Sequence, residues 1–194
     1  MRGVAITGVG IVSALGSGVA AHLEAMREGR TRLGPLTLFS PDDLGSFPVG
    51  EVDPMLVPRR GPRSIRLALH AARQALGGRA FETPGVLALG TTTGGILESE
   101  RHFLKHRGAI GAEDRGLLLY HAMGTVTDVL RRALGLPAEG HTFSTACSSS
   151  ANAIRVATAG RSGRMYPGSL LMEIEKSTST SSTQTARNVR CRSR

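Results

Sequence analysis

The chain has 194 residues, 25 of them glycine and none tryptophan, with 40% apolar side chains; this supports one domain with a sizeable core and excludes two large ones. The formal charge is +9, but residues 1–146 hold 16 Lys+Arg against 13 Asp+Glu, a net +3, while residues 147–194 hold 8 against 2, a net +6. An excess concentrated in the C-terminal quarter says little about the folded domain, and nucleic acid is not an expected partner.

Val4–Val12 is apolar and β-branched, interrupted by Gly8 and Gly10, and reads as a buried strand that kinks at the glycines. A turn cluster at 13–18 leads into a short helix over 19–27. Residues 30–54 are loop-like, with an edge strand readable in 47–52. Arg63–Leu76 is the clearest amphipathic helix: Ile65, Ala68, Leu69, Ala72, Ala75 and Leu76 share one face, and Gly77-Gly78 ends it. Gly85–Leu89 is a continuous apolar run of the kind covered on both faces of a parallel sheet. Gly90–Gly95 is a Gly-Thr turn, followed by helices over 96–106 and 125–134. A short strand at 141–144 precedes a helix-compatible stretch from Cys147 to about residue 158. This alternation predicts an α/β domain, a mixed, mostly parallel sheet with helices on both faces, over residues 1–160. Residues 161–194 are basic and Ser/Thr-rich, with eight Ser/Thr among residues 177–185, and read as a disordered tail; only Ser169–Ile174 imitates a strand.

No apolar run reaches the roughly 18 residues of a membrane-spanning helix, and no secretory leader is readable. Cys147 and Cys191 lie in segments of unlike composition and make no disulfide framework. A reducing, cytoplasmic setting without membrane attachment is the expectation.

Cys147 stands in the run Thr145-Ala146-Cys147-Ser148-Ser149-Ser150, between a strand and a helix. Free N–H groups and the dipole at a helix N-terminus favour a thiolate and can hold an oxyanion. Small neighbours let a bulky acyl group approach the sulfur, as in a nucleophile elbow. On local sequence alone, a free cysteine packed as a small apolar group fits equally well.

Three ordered blocks add a resemblance. His141–Ile154 (HTFSTACSSSANAI) resembles the active-site block of the β-ketoacyl-acyl-carrier-protein synthases. Val4–Gly18 resembles that family's N-terminal strand and turn, and the helix over 63–76 with VLALGTTTGG at 86–95 matches the elements between. The resemblance covers roughly residues 3–155 and implies the N-terminal half of a thiolase-like fold, usually a homodimer. It further implies that Cys147 accepts an acyl group from an acyl-carrier-protein or coenzyme A thioester, and that a malonyl thioester then condenses with it after losing carbon dioxide, in fatty-acid or polyketide biosynthesis. No metal and no cofactor is implied. The family's two catalytic histidines, a lysine and a glycine loop come from its second half, which is not matched here; the expectation is a truncated chain that cannot complete condensation. The other reading is a non-catalytic fragment or partner subunit that binds acyl carrier protein or another synthase chain.

The chain's own histidines, at 22, 70, 102, 106, 121 and 141, are not assigned as bases. His102 and His106 have metal-compatible i, i+4 spacing but no third ligand, and read as a solvated helix face. Gly8-Val9-Gly10 lacks the third glycine and the acid of a dinucleotide loop. Gly90–Gly95 lacks the Lys-Ser/Thr ending of a phosphate loop. Leu117–Tyr120 with Phe103 and Leu104 reads as core in preference to an acyl pocket.

Overall fold

The computed structural model describes residues 4–39, 47–57, 61–81, 85–106, 115–159, 169–174 and 184–191. Its elements in chain order are β1 (Val4–Ser13), β2 (Gly16–Ser17), α1 (Val19–Arg27), β3 (Leu33–Gly34), β4 (Val49–Gly50), α2 (Arg63–Leu76), β5 (Gly85–Thr91), α3 (Ile96–His106), α4 (Arg115–Leu118), α5 (Met123–Ala133), β6 (Ala138–Phe143), α6 (Ser149–Ala159), β7 (Ser169–Ile174) and β8 (Gln184–Cys191). β3 and β4 pair as a separate two-stranded ladder. The other six strands form one sheet in the order β2-β1-β8-β7-β5-β6.

β5 is parallel to both β6 and β7, while β8 is antiparallel to both β7 and β1. β1, β7, β5 and β6 therefore run in one direction, and the sheet is mixed, as expected, with parallel pairing from β7 through β5 to β6 and antiparallel pairing from β7 through β8 and β1 to β2. Every residue of β5 is buried, because successive side chains leave opposite faces and both faces are covered. Leu87 and Leu89 join Ala68, Ala72, Val126 and Leu130, so α2 and α5 cover one face. Val86 and Ala88 pack against Ala153 and Ala157 of α6 on the other.

β1 is a single strand with an irregularity between Ile6 and Gly8. Its glycines make room for α2 as well as for any bend. A Cβ on Gly8 would stand 2.0 Å from the carbonyl oxygen of Ala75, and one on Gly10 would stand 1.8 Å from that of Ala71. β1 is also less buried than expected, since Ile6 and Val9 are exposed. α2 matches its predicted bounds, and Gly77 caps it in the left-handed conformation at φ 56°, where a residue without Cβ is unstrained.

The expectation of disorder after residue 160 is replaced, at 169–174 and 184–191, by two strands in the middle of the sheet. Composition misled here because Ser and Thr tracts resemble linkers, whereas β7 and β8 fill the gap between β5 and β1. Without them, two inner strands would present open hydrogen-bonding edges. The rest of that stretch, with its Ser/Thr-richest part, lies outside the described residues.

Among the described residues no helix is long and apolar enough to cross a membrane. No group of three or more His, Cys, Asp or Glu there could share a metal ion.

Candidate active site

The segment around Cys147 is a strand, a tight turn and a helix. β6 ends at Phe143, Ala146–Ser148 form one 3-10 turn, and α6 begins at Ser149. Ala146 has φ 51° and is the one non-glycine residue with positive φ among the described residues. For alanine that region is strained, because Cβ crowds the following carbonyl oxygen. Such strain persists only where surrounding bonds over-determine it, and it clusters at functional sites. Cys147, the next residue, is a free thiol exposed to solvent.

Two layers of hydrogen bonds hold the turn. Within it, the Ser148 amide donates to the Thr145 carbonyl at 3.2 Å and the Ser149 amide donates to Ala146. The Ser148 hydroxyl lies 2.8 Å from the Thr145 carbonyl, and Asn152 Nδ2 donates to Thr145 Oγ1 at 2.9 Å. Toward the sheet, the Ser144 hydroxyl donates to the Thr92 carbonyl at 3.2 Å, and Ser149 Oγ lies 3.2 Å from the carbonyl of Thr91. The Gly-Thr run after β5 is thus part of the mount of the turn. Thr91 in turn accepts the Gly94 amide at Oγ1, 3.0 Å away. The amides of Ser148 and Ser149 are committed to the turn, so the general expectation of free first-turn amides beside the sulfur does not extend to these two.

Gly90 sets the distance between helix and strand. A Cβ there would stand 2.9 Å from the backbone nitrogen of Ser150. Helix α6 can therefore start directly on β5.

The histidines are engaged elsewhere. Nδ1 of His22 donates to the Gly18 carbonyl at 2.8 Å, which leaves Nε2 to accept the Ser13 hydroxyl at 2.7 Å. His70 meets Ser17 at 2.7 Å, His121 meets Ser99 at 3.0 Å, and His141 faces the Glu139 carboxylate at 3.6 Å. His102 and His106 stack with ring centroids 4.8 Å apart. His102 is buried, not solvated, and its Nε2 has no hydrogen-bond partner among the described residues. Glu98, one turn earlier on α3, is 2% exposed with both carboxylate oxygens equally unpartnered. Helix α3 thus turns a polar face inward, while Phe103 and Leu104 point outward and are exposed. The expectation that Phe103, Leu104 and 117–120 form core is corrected for Phe103, Leu104 and Leu119, which are exposed; Tyr120 does pack against the core. The side chain of Cys191 lies outside the described residues.

No protein-family model matches the chain. It is 33% identical over 176 residues to a protein of Streptomyces cyaneus described as a polyketide beta-ketoacyl synthase. The match covers 79% of this chain and 41% of that relative. Among solved structures, it superposes with a TM-score of 0.76 and 18% identity on a ketosynthase in complex with its chain length factor from Xenorhabdus doucetiae, over 100% of this chain and 59% of that one. A beta-ketoacyl synthase from Burkholderia phymatum gives a TM-score of 0.72 at 20% identity, covering 99% of this chain and 60% of the other. A type II ketosynthase bound to its acyl-carrier protein gives 0.78 at 16% identity, covering 98% and 58%. The chain thus spans well under two thirds of the length of each. It is similar in sequence to a polyketide beta-ketoacyl synthase and shares the thiolase-like fold of the solved ketosynthases.

Proposed function

We propose that this chain is a β-ketoacyl synthase-type acyltransferase unit of polyketide or fatty-acid biosynthesis, with Cys147 as the acyl acceptor. The Cys147 thiolate attacks the carbonyl carbon of an acyl thioester carried by acyl carrier protein or coenzyme A. The carbon–sulfur bond to the carrier breaks, and the carrier thiol leaves with a proton. In the complete reaction a malonyl thioester then loses carbon dioxide, and its carbanion attacks the acyl carbonyl and frees Cys147. The observation that supports the first step is the placement of an exposed thiol immediately after a strained residue at a strand–turn–helix junction.

The engagement of His22, His70, His121 and His141 with other partners favours a narrower reading of the second step. The groups that stabilise the carbanion come from outside this chain's described residues, on a further segment or on a partner synthase subunit. Residues 1–160 are proposed as the acyl-accepting unit, with the strands at 169–174 and 184–191 completing its sheet.

Incubation of the protein with an acyl-carrier-protein thioester, followed by peptide mass mapping, tests the proposal. The expected result is an acyl mass on the peptide containing Cys147, lost in Cys147→Ala. Carrier-protein binding without any acyl adduct would instead establish the non-catalytic partner reading.

A further inference from the structure

We infer that Ser149 is the positioning residue of the turn, an inference that rests on the reading of Cys147 as acyl acceptor. Ser149 is 4% exposed, although it opens a helix next to the exposed Ser148. Its hydroxyl oxygen accepts the amide of Thr145 at 2.9 Å. The same oxygen lies within donating distance of two carbonyl oxygens, that of Ala146 at 2.7 Å and that of Thr91 at 3.2 Å. One buried hydroxyl therefore joins the exit of β6, the strained turn and the end of β5.

The contact with Ala146 acts directly on the cysteine. The peptide unit is planar, so the carbonyl oxygen of Ala146 and the amide nitrogen of Cys147 move as one body. Ala146 is held at φ 51°, a strained conformation, and the Ser149 hydroxyl is one of two groups that pin its carbonyl, the Ser149 amide being the other. Holding that oxygen holds the plane, and the plane sets the direction in which the Cys147 side chain leaves the backbone. The bond reaching Thr91 and the Thr145 amide fix the hydroxyl itself. Three partners on one group explain why a serine is buried at the start of an otherwise solvated helix turn.

The test reads the alkylation rate of Cys147 by iodoacetamide in the full chain, mapped by peptide mass and followed across pH. Thermal unfolding of each variant is measured alongside. Ser149→Ala is expected to slow Cys147 roughly ten-fold or more, by misplacing the sulfur, and to change its pH profile while Cys191 reacts as before. Ala146→Gly, added to Ser149→Ala, removes the Cβ strain and is expected to return most of the rate. Ser149→Thr, which keeps the hydroxyl, is expected to do the same. Should Ser149→Ala lose the fold, Ala146→Val strains the same peptide from an exposed position and is expected to slow Cys147 likewise.

Wild-type rate and pH profile in Ser149→Ala or in Ala146→Val would overturn the proposal. So would a rate loss that neither Ala146→Gly nor Ser149→Thr restores. Failure of the wild-type protein to take an acyl group would sink the acyl-acceptor reading while leaving the dependence of alkylation on Ser149 to be scored by itself.

Discussion

The backbone nitrogen of Ser150 occupies the space where a side chain on Gly90 would begin: a Cβ built on Gly90 stands 2.9 Å from it. Helix α6 rests on β5 through that missing atom. Gly90→Val is therefore expected to lift the start of the helix and destabilise the fold by about 1–3 kcal/mol, the usual cost of overpacking. Urea unfolding reads the stability, and the alkylation rate of Cys147 reads the turn. An unchanged unfolding midpoint would show that α6 is not seated on Gly90.

A second prediction concerns pH near neutrality. Gln74 Nε2 donates to Ser17 Oγ at 2.6 Å, so the Ser17 hydroxyl is free to donate its proton to Nε2 of His70, 2.7 Å away. That arrangement needs a neutral imidazole. Burial, and then the Arg73 guanidinium, push the His70 pKa below its ordinary 6.5. The unfolded chain then binds a proton more readily than the folded one. Stability from this group is full above pH 6.5 and declines as pH falls through that value toward the lower folded pKa. His70→Gln should flatten this part of the stability–pH curve, measured as unfolding midpoints on either side of the transition.

Glu51 gives an acid-side counterpart. Partial burial raises its pKa, but the Thr37 hydroxyl, the amides of Thr37 and Leu38 and the Arg63 guanidinium outweigh that effect and hold it below the ordinary 4.5. Thr37 and Leu38 donate their amides to Glu51 Oε1 at 2.8 and 3.1 Å. The contribution is present above pH 4.5 and disappears as pH falls below it through the folded value. Glu51→Gln should remove this step from the acid limb of the stability curve; an identical acid limb in the variant would refute it.

Glu98 bears on the inward polar face of α3. A buried carboxylate without hydrogen bonds is costly. Glu98→Met should therefore stabilise the protein by about 1–3 kcal/mol. A lower melting temperature in that variant would mean that the carboxylate is satisfied by a group outside the described residues.

Much of this architecture was legible from local pattern. The apolar face of α2 and the unbroken apolar run of β5 predicted what they cover, because burial is written in periodicity. The block around Cys147 identified the strand–turn–helix junction. What escaped is set by segments distant in sequence. The need for glycine at 8 and 10 comes from the carbonyls of Ala75 and Ala71, and no local rule brings those together with β1. Ala146 shows in the sequence only as a small neighbour, since alanine carries no signal for left-handed backbone. Ser149 was one of three equivalent serines until its contacts with Thr145, Ala146 and Thr91 distinguished it. The polar neighbours of His102 on α3 suggest a solvated face, but Glu98 and His102 are the side that faces inward. The strands at 169–174 and 184–191 were hidden by a composition that also suits linkers.

The tie from Ser149 to Thr91 has a dynamic consequence. The thiol is exposed, yet its support is fastened to a strand buried on both faces. The first turn of α6 cannot fray without breaking away from the end of β5. Amide exchange at this helix start should follow the slow rhythm of the central sheet instead of the fast rhythm of surface loops. Heat or denaturant would then turn Cys147 into an ordinary unfolded thiol only as the fold is lost as a whole, with no earlier loosening of the turn: a surface reagent would meet a group as stiff as the protein's interior.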